Sequence, residues 1–205
     1  MSGKVAALRR LQRRSQALLL EVYRDQEKVL VFGEGNTSAA VMLVGEAPGE
    51  QETLQQRPFV GKAGKNLDEF LEIIGMRREA LYITNVVKFR PTRTHERTGR
   101  LSNRPPTREE IDLCYHMLAG EVAIVAPRVV VTLGNTPLRT VLDDPKASIG
   151  ACHGQPRPAS MGKVSFTLFP LYHPASIIYN RSLRDTYLSD ALRLSACLAE
   201  QGLTD

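Results

Sequence analysis

Four polar side chains in this sequence each follow a short apolar segment, and their types could bind a ligand or move a proton. They are a carboxylate (Glu46), two carboxamides (Asn85 and Asn135) and an imidazole (His173). Glu46 stands in the stretch Gly-Glu-Ala-Pro-Gly, between two glycines and a proline. Open α/β sheets bind their ligands outside the carboxyl ends of their strands. We therefore interpret this stretch as a functional loop; an ordinary strand-to-helix loop is the alternative.

The segments that must position these side chains alternate between strand and helix patterns. Short runs rich in Val, Ile and Leu predict buried strands at residues 39–44, 81–87, 127–134 and 163–171. Helical spacing of apolar residues predicts helices at 6–27 and 64–74, after Thr107, from 135 onward and at 184–201. This order predicts a three-layer α/β/α sandwich around a central, mainly parallel four-stranded sheet. The four polar side chains would then meet along one rim of that sheet.

Length and composition set the broad class. A chain of 205 residues suits one core, so we expect residues 1–205 to form a single domain. The net charge of +5 is compatible with a polyanionic partner but does not require one. Three dispersed cysteines indicate neither a zinc site nor a disulfide framework. With no signal-peptide pattern and no membrane-length apolar run, we expect a cytoplasmic protein without a membrane partner.

Several spaced motifs, in unbroken order between residues 41 and 180, resemble the uracil-DNA glycosylase superfamily, most closely its bacterial and archaeal family-4 type. The matching pieces are GEAPG (45–49), RPFVGKAG (57–64), YITNVVK (82–88), RP (90–91), APRVVVTLG (126–134) and YHPAS (172–176). An ordered set of motifs is far more specific than any one of them. The resemblance implies a monomeric enzyme that removes uracil from single- or double-stranded DNA and leaves an abasic site.

The sequence departs from family 4 in its cysteines. Family-4 enzymes typically hold a four-iron four-sulfur cluster with four cysteines, one of them in a K-C-R-P context. Here that context reads Lys88-Phe89-Arg90-Pro91, and only Cys114 stands where a ligand is expected. One thiolate cannot hold such a cluster. We therefore predict no cluster, no metal and no other cofactor, with Phe89 and its neighbours filling the volume.

The resemblance assigns three residues to the base. Phe59 would stack on uracil, Asn85 would read its edge through one carboxamide, and Ala47 belongs to the same uracil-binding set. A carboxamide offers the donor and the acceptor that uracil requires, whereas cytosine presents the reverse pattern. The alternatives are that Phe59 only fills the core and that Asn85 only caps the end of its strand.

The resemblance gives His173 and Glu46 the catalytic roles. His173 would donate a hydrogen bond to uracil O2 as negative charge develops on the leaving base. Glu46 would stabilise the cationic sugar and orient or deprotonate the attacking water. A packing role is the alternative for His173. Glu50 and Glu52 follow closely and could share the task of Glu46, but we interpret them as solvated loop charges.

Contacts to the DNA backbone are expected from loops and helix starts around the site. Main-chain N–H groups near Gly-rich turns can approach phosphates. Arginines in the polar loop 90–106 could track phosphates on a mobile arm, and an ordinary solvated loop is the alternative. Either Ile177 or Ile178 would fill the gap left by a flipped base, with a buried loop anchor as the equal alternative. The full DNA-binding set is Gly61, Lys62, Gly64, Asn135, Ser176, Ile177, Ile178, Arg90 and Arg93.

The sequence leaves other functions open besides uracil excision. A DNA-binding protein of the same fold that has lost cleavage is the main alternative, since one family feature is already missing. A glycosylase with a shifted or broader preference for deaminated bases is another. A nucleotide-binding α/β enzyme is disfavoured, because the stretch around Glu46 has neither the GxGxxG nor the P-loop pattern.

Overall fold

The chain is built around one β-sheet with helices on both faces. The computed structural model describes residues 3–24, 26, 28–176 and 180–203. The helices of these residues are α1 Gly3–Val22, α2 Glu50–Gln55, α3 Lys62–Ile73, α4 Arg108–Val125, α5 Asn135–Leu142, α6 Ile149–Cys152 and α7 Arg184–Glu200. The strands are β1 Glu34–Gly35, β2 Val41–Gly45, β3 Tyr82–Asn85, β4 Thr92–Thr94, β5 Leu101–Asn103, β6 Val129–Leu133, β7 Arg157–Met161 and β8 Val164–Leu171. Across these ranges, no helix is long and apolar enough to cross a membrane.

The main sheet has the strand order β1-β3-β2-β6-β8-β7. Strands β3, β2, β6 and β8 are parallel, whereas β1 and β7 pair antiparallel at the two edges. The predicted three-layer sandwich with a mainly parallel sheet is confirmed, and the four predicted strands form its centre. The described sheet has six strands rather than four. Both additional strands lack the apolar run of a buried strand: β1 has two residues, and β7 is largely exposed and contains Pro158, as edge strands tolerate.

The two faces of the sheet bury separate apolar clusters because successive side chains of a strand point to opposite faces. Tyr82 belongs to the cluster on the side of α1, α4 and α5, whereas Ile83 belongs to the cluster on the side of α3 and α7. Helix α1 extends over Gly3–Val22 rather than the predicted 6–27, so it ends where its apolar spacing ends.

The polar loop 90–106 is folded where a mobile arm was expected. Strands β4 and β5 pair antiparallel within it. At its base, Arg104 donates two hydrogen bonds of 2.7 Å to the Glu110 carboxylate, which is a bidentate pair. Glu110 also accepts from the N–H of Thr107 at 2.9 Å, and its own N–H donates to the Thr107 hydroxyl at 3.3 Å. The predicted cap at Thr107 is confirmed, and it joins the hairpin to α4.

The strand order creates a crevice at the carboxyl ends of β2 and β6. From β2 the chain moves to β3 on one side, and from β6 it moves to β8 on the other side. Loops that leave two adjacent parallel strands in opposite directions open a ligand-binding crevice between them. The loop that begins with Glu46 and the loop that begins with Gly134 border this crevice.

Candidate active site

Glu46 is held by the loop on the far side of the crevice. The hydroxyl of Thr136, in the first turn of α5, donates to Oε2 of Glu46 at 2.6 Å. On the near side, the N–H of Val87 donates to the Glu46 carbonyl at 3.0 Å, which extends the pairing of β2 with β3. Glu46 is partly exposed. One oxygen of its carboxylate is therefore fixed in direction on a residue that is only partly buried.

Gly45 forms the floor between the two residues expected to bind the base. It pairs in register with Asn85 on β3. A Cβ atom at position 45 would lie 2.4 Å from Oδ1 of Asn85 and 2.5 Å from Cζ of Phe59. Both side chains are buried, at 2% exposure for Asn85 and 5% for Phe59. The missing side chain of Gly45 thus lets a carboxamide and an aromatic ring approach the same point.

Phe59 reaches this position through an unusual backbone. Its φ of +53° lies in the left-handed region, which a bulky residue rarely adopts. Gly64, in the first turn of α3, packs directly on it, since a Cβ at position 64 would lie 2.1 Å from the Phe59 carbonyl oxygen. The loop is also fixed by Arg78, which donates to the carbonyl of Pro58 at 2.7 Å. Strained residues of this kind concentrate at ligand sites.

His173 faces Phe59 as a neutral imidazole. The two rings lie 6.0 Å apart between centroids, with 21° between their planes. The N–H of Ala175 donates to Nδ1 of His173 at 3.1 Å, so Nδ1 carries no proton and the neutral ring bears its proton on Nε2. Burial lowers the pKa of His173 to about 4, because the charged form loses its hydration. At neutral pH this residue is a hydrogen-bond donor without a charge.

Glu52 is part of the structure of the loop, and our interpretation of it as a solvated charge is wrong. It is 8% exposed. Its carboxylate accepts hydrogen bonds from the main-chain N–H groups of Gly49 at 3.1 Å, Val60 at 3.0 Å and Gly61 at 2.7 Å. These bonds join the start of α2 to the turn that carries Phe59. The spacing of Gly49 and Glu52, that of a helix capping box, was a signal for it. Glu50 is exposed, as expected.

The residues expected at phosphates on α3 and α5 are partly engaged within the protein. The N–H of Gly61 donates to Glu52, and that of Gly64 donates to the Gly61 carbonyl at 2.9 Å. Oδ1 of Asn135 accepts from the N–H of Ile149 at 2.8 Å, at the start of α6. Lys62 is exposed at the start of α3. Of this set, its side chain is the one with an exposed positive charge.

The remaining expected contacts differ in how firmly they are held. Arg90 donates to the side chain of Asn103 at 2.7 Å and lies 3.6 Å from the Glu50 carboxylate, which links the hairpin to the start of α2. Arg93 is exposed on β4. Ser176 is partly exposed at the end of the loop that carries His173. Ala47 is partly buried and packs against the cluster on the side of α1 and α4. Ile177 and Ile178 lie outside the described residues.

The cysteines do not come together. Cys114 is buried on the face covered by α4, Cys197 belongs to the cluster on the other face, and Cys152 ends α6. Burial raises the pKa of the Cys114 thiol, which disfavours the thiolate that a metal requires. Phe89 is fully buried next to this region, and the ring of Tyr23 meets it edge-on at 5.3 Å. In the part of the chain that the structure describes, no group of three or more His, Cys, Asp or Glu side chains could hold a metal ion.

A carboxylate, a carboxamide and an uncharged imidazole near an aromatic ring, at the switch point of a parallel sheet, are typical of an α/β protein with a ligand-binding crevice. Comparison with known families identifies the family to which the chain belongs. Residues 32–194 match the model of the Uracil DNA glycosylase superfamily, and the chain belongs to this superfamily.

Individual relatives agree with this assignment. The chain is 40% identical over 175 residues to a Type-4 uracil-DNA glycosylase of Thermotoga maritima, which covers 84% of this chain and 85% of the relative. It is 35% identical over 181 residues to the Type-4 uracil-DNA glycosylase of Saccharolobus solfataricus, covering 86% and 80%. A Type-5 uracil-DNA glycosylase of Pyrobaculum aerophilum is 31% identical over 179 residues, covering 79% and 73%.

Proposed function

We propose that this protein is a uracil-DNA glycosylase, which hydrolyses the N-glycosidic bond of a flipped uracil nucleotide and leaves an abasic site. The observation that carries the proposal is the neutral His173, which bears its proton on Nε2 and stacks against Phe59, the ring that meets the Asn85 carboxamide over Gly45. Membership of the superfamily supports it across residues 32–194. A base inside a duplex must leave the stack before such a pocket can hold it.

Asn85 and Phe59 would select the base. A planar uracil can lie against the Phe59 ring above Gly45, while the amide of Asn85 donates to O4 and accepts from N3–H. Cytosine presents a donor at position 4 and an acceptor at position 3, so it would leave both amide groups unpaired. An unpaired buried polar group costs about 1–3 kcal/mol, which discriminates against cytosine.

His173 would stabilise the leaving uracil. As the glycosidic bond lengthens, negative charge moves onto the base and is shared with O2. The Nε2–H of a neutral imidazole can donate a hydrogen bond to that oxygen without transferring its proton. Because the ring is held by Ala175 and lies in a largely buried site, this stabilisation requires little reorganisation.

Glu46 would act on the sugar and the water. Departure of the base leaves a sugar with oxocarbenium character, which a nearby carboxylate stabilises. The same carboxylate can orient or deprotonate the water that adds to the sugar carbon. Thr136, which donates to Oε2 of Glu46, leaves the other oxygen for this role.

The substrate is single- or double-stranded DNA. We propose that Lys62, Ser176 and Arg93 meet its phosphates, with Arg90 and Asn135 at the edges of the same surface and the glycines at 61 and 64 permitting close approach. Either Ile177 or Ile178 would fill the gap left by the flipped nucleotide, and Ala47 would border the base.

One chain supplies all the residues of the proposed chemistry, Glu46, Phe59, Asn85 and His173, which supports a monomer. Three free thiols suit a reducing cytoplasm, and residues 1–205 would form one domain.

A labelled oligonucleotide with one uracil tests the function directly. We expect alkali-sensitive cleavage at the uracil after incubation with the protein at low salt, in single- or double-stranded DNA. Oligonucleotides with thymine, cytosine or hypoxanthine at the same position are the matched controls, and they also define the range of bases excised. If excess protein binds the uracil strand and leaves it intact, the protein is a binding protein of this fold and the proposal fails.

We also propose that the enzyme works without an iron–sulfur cluster. The residues do not fit one, since a cluster of this kind requires four thiolates and Cys114 stands alone beside the buried Phe89. Protein purified under anaerobic conditions is expected to be colourless, to contain no stoichiometric iron and to excise uracil at an undiminished rate after treatment with a chelator. A brown protein with about four iron atoms per chain would contradict this.

A further inference from the structure

A fully buried ion pair lies directly behind the site, on the opposite face of the sheet. The Lys88 ammonium and the Glu121 carboxylate both have 0% exposed side chains. Lys88 follows β3 by three residues, and Glu121 projects from α4. Neither residue has a part in the proposed chemistry.

Every charged atom of this pair has partners. The Lys88 ammonium donates to Thr84 Oγ1 at 2.7 Å, to the main-chain carbonyl of Asn85 at 2.6 Å and to Glu121 Oε2. These three acceptors match the three protons of an ammonium group. Glu121 in turn accepts from the hydroxyls of Thr84 at 2.8 Å and Tyr82 at 3.1 Å, and from the N–H of Gly33 at 2.9 Å.

Asn85 is the residue of the proposed site that this network contacts. Thr84 and Asn85 are successive residues of β3, so their side chains point to opposite faces of the sheet. Thr84 turns toward Glu121, while the carboxamide of Asn85 turns toward Gly45 and Phe59. The carbonyl bound by Lys88 belongs to Asn85 itself. Just beyond it, the N–H groups of Val86 and Val87 donate to the carbonyls of Gly45 and Glu46 at 2.9 and 3.0 Å.

We propose that Lys88 and Glu121 are positioning residues, which fix the end of β3 from behind and thereby set the direction of the Asn85 carboxamide that reads the base. The inference rests on the proposed function. The ammonium binds the backbone of the reading residue, and the carboxylate holds the ammonium. Because Val86 and Val87 bind the loop after β2, the same anchor also supports the position of Glu46.

Stability alone is a weak reason for such a pair. Removing two charges from water costs several kcal/mol per ion, and well-packed apolar residues of similar volume are often as stable or more so. A pair whose only role is stability would therefore tolerate joint replacement by uncharged residues. A pair that orients Asn85 would not, since an apolar side chain at position 88 cannot donate to the Asn85 carbonyl.

The decisive variant removes both charges while keeping the volume. In Lys88→Met/Glu121→Gln, the glutamine still accepts from Gly33 and Tyr82, and no charge is left unpaired. We expect this variant to fold. Its KM for uracil-containing DNA should stay within about twofold of the KM of the wild type. Its kcat should fall by about 10- to 100-fold, as for a reacting geometry displaced by up to 1 Å. Inhibition by free uracil, which reports the fit of the base alone, should weaken in parallel.

Leu198→Ala is the control for lost stability. Leu198 is fully buried on α7, next to Gln201, whose carbonyl binds Arg128 at the opposite end of the sheet from the site. This variant should lower the melting temperature and leave kcat unchanged at temperatures where it is folded. If the double variant melts no lower than Leu198→Ala and yet keeps kcat within about threefold of the wild type, the positioning role is excluded.

Thr84 provides a milder test should the double variant not fold. Thr84→Ser keeps the oxygen that links Lys88 to Glu121, whereas Thr84→Val removes it at nearly constant volume. We expect a lower kcat for Thr84→Val than for Thr84→Ser, and equal values would overturn the inference. An inactive wild type would instead contradict the proposed function, so the two failures are distinguishable.

Discussion

Replacing Glu46 with glutamine is expected to lower the single-turnover rate of uracil excision by about 10²- to 10⁴-fold, the range typical of a lost general base. Glutamine keeps the shape of the side chain and can still accept the hydrogen bond from Thr136, but it has neither the charge nor the basicity of a carboxylate. Affinity for the DNA should change little, because the lost interaction develops only as the sugar becomes cationic. Quench-flow measurement of alkali-sensitive sites with enzyme in excess gives this rate separately from product release.

Glu50→Gln is the matched control for this result. It makes the same change four residues further on, at an exposed carboxylate. We expect its rate to stay within a few-fold of the wild type. A Glu46→Gln enzyme that is equally active would show that another group activates the water, and Glu46 would then lose its proposed role.

Replacing His173 with alanine is expected to lower the excision rate by about 10²- to 10³-fold, as when one oxyanion-hole donor is removed. The loss arises because the Nε2–H no longer meets the charge that develops on uracil O2. His116→Ala is the matched control, since His116 is exposed on α4 and should leave the rate unchanged. A His173→Ala enzyme with nearly wild-type activity would mean that the ring only packs against Phe59.

The pH dependence distinguishes a neutral from a charged His173. Since its pKa is lowered to about 4, the ring stays neutral across the range of an ordinary histidine, and the excision rate should show no inflection near 6.5 from this residue. Unfolded chains bind the proton near pH 6.5, and the folded protein does so only near pH 4. The stability contributed by this residue is therefore complete above pH 6.5 and is lost as the pH falls toward 4. A titration of His173 near 6.5 by NMR would contradict the neutral donor.

The region around Phe89 shows how the fold stays intact when a cysteine of the family pattern is replaced. Where the family pattern has a cysteine, this chain has Phe89, which is fully buried and meets Tyr23 edge-on. Lys28 lies over both rings, at 5.0 Å from Tyr23 and 5.4 Å from Phe89. Apolar and cation–π contacts thus surround the Phe89 ring. The proposed absence of a cluster is compatible with an ordered end of β3, because Lys88 and Glu121 hold it.

Much of the fold was predictable because parallel strands buried on both faces have a strong signature. The four central strands are continuous apolar runs, and their order with the helices determines the layers. Strand β7 was missed because an edge strand needs no apolar face, and its Pro158 is typical of a loop. The hairpin in the polar loop was missed for a related reason, since its two strands are mostly polar and exposed and have no apolar pattern.

From the sequence by itself a site at Glu46 was predicted, since residue types at the ends of buried strands can be read directly. Asn85 and His173, far along the chain, were predicted at the same rim for the same reason. Only the tertiary structure decided how each group is held: Thr136 on Glu46, Ala175 on Nδ1 of the ring, and Lys88 behind Asn85. It also decided that Glu52 is buried. Hydrogen bonds between distant segments depend on the direction of each side chain in the folded sheet, and linear spacing does not specify that direction.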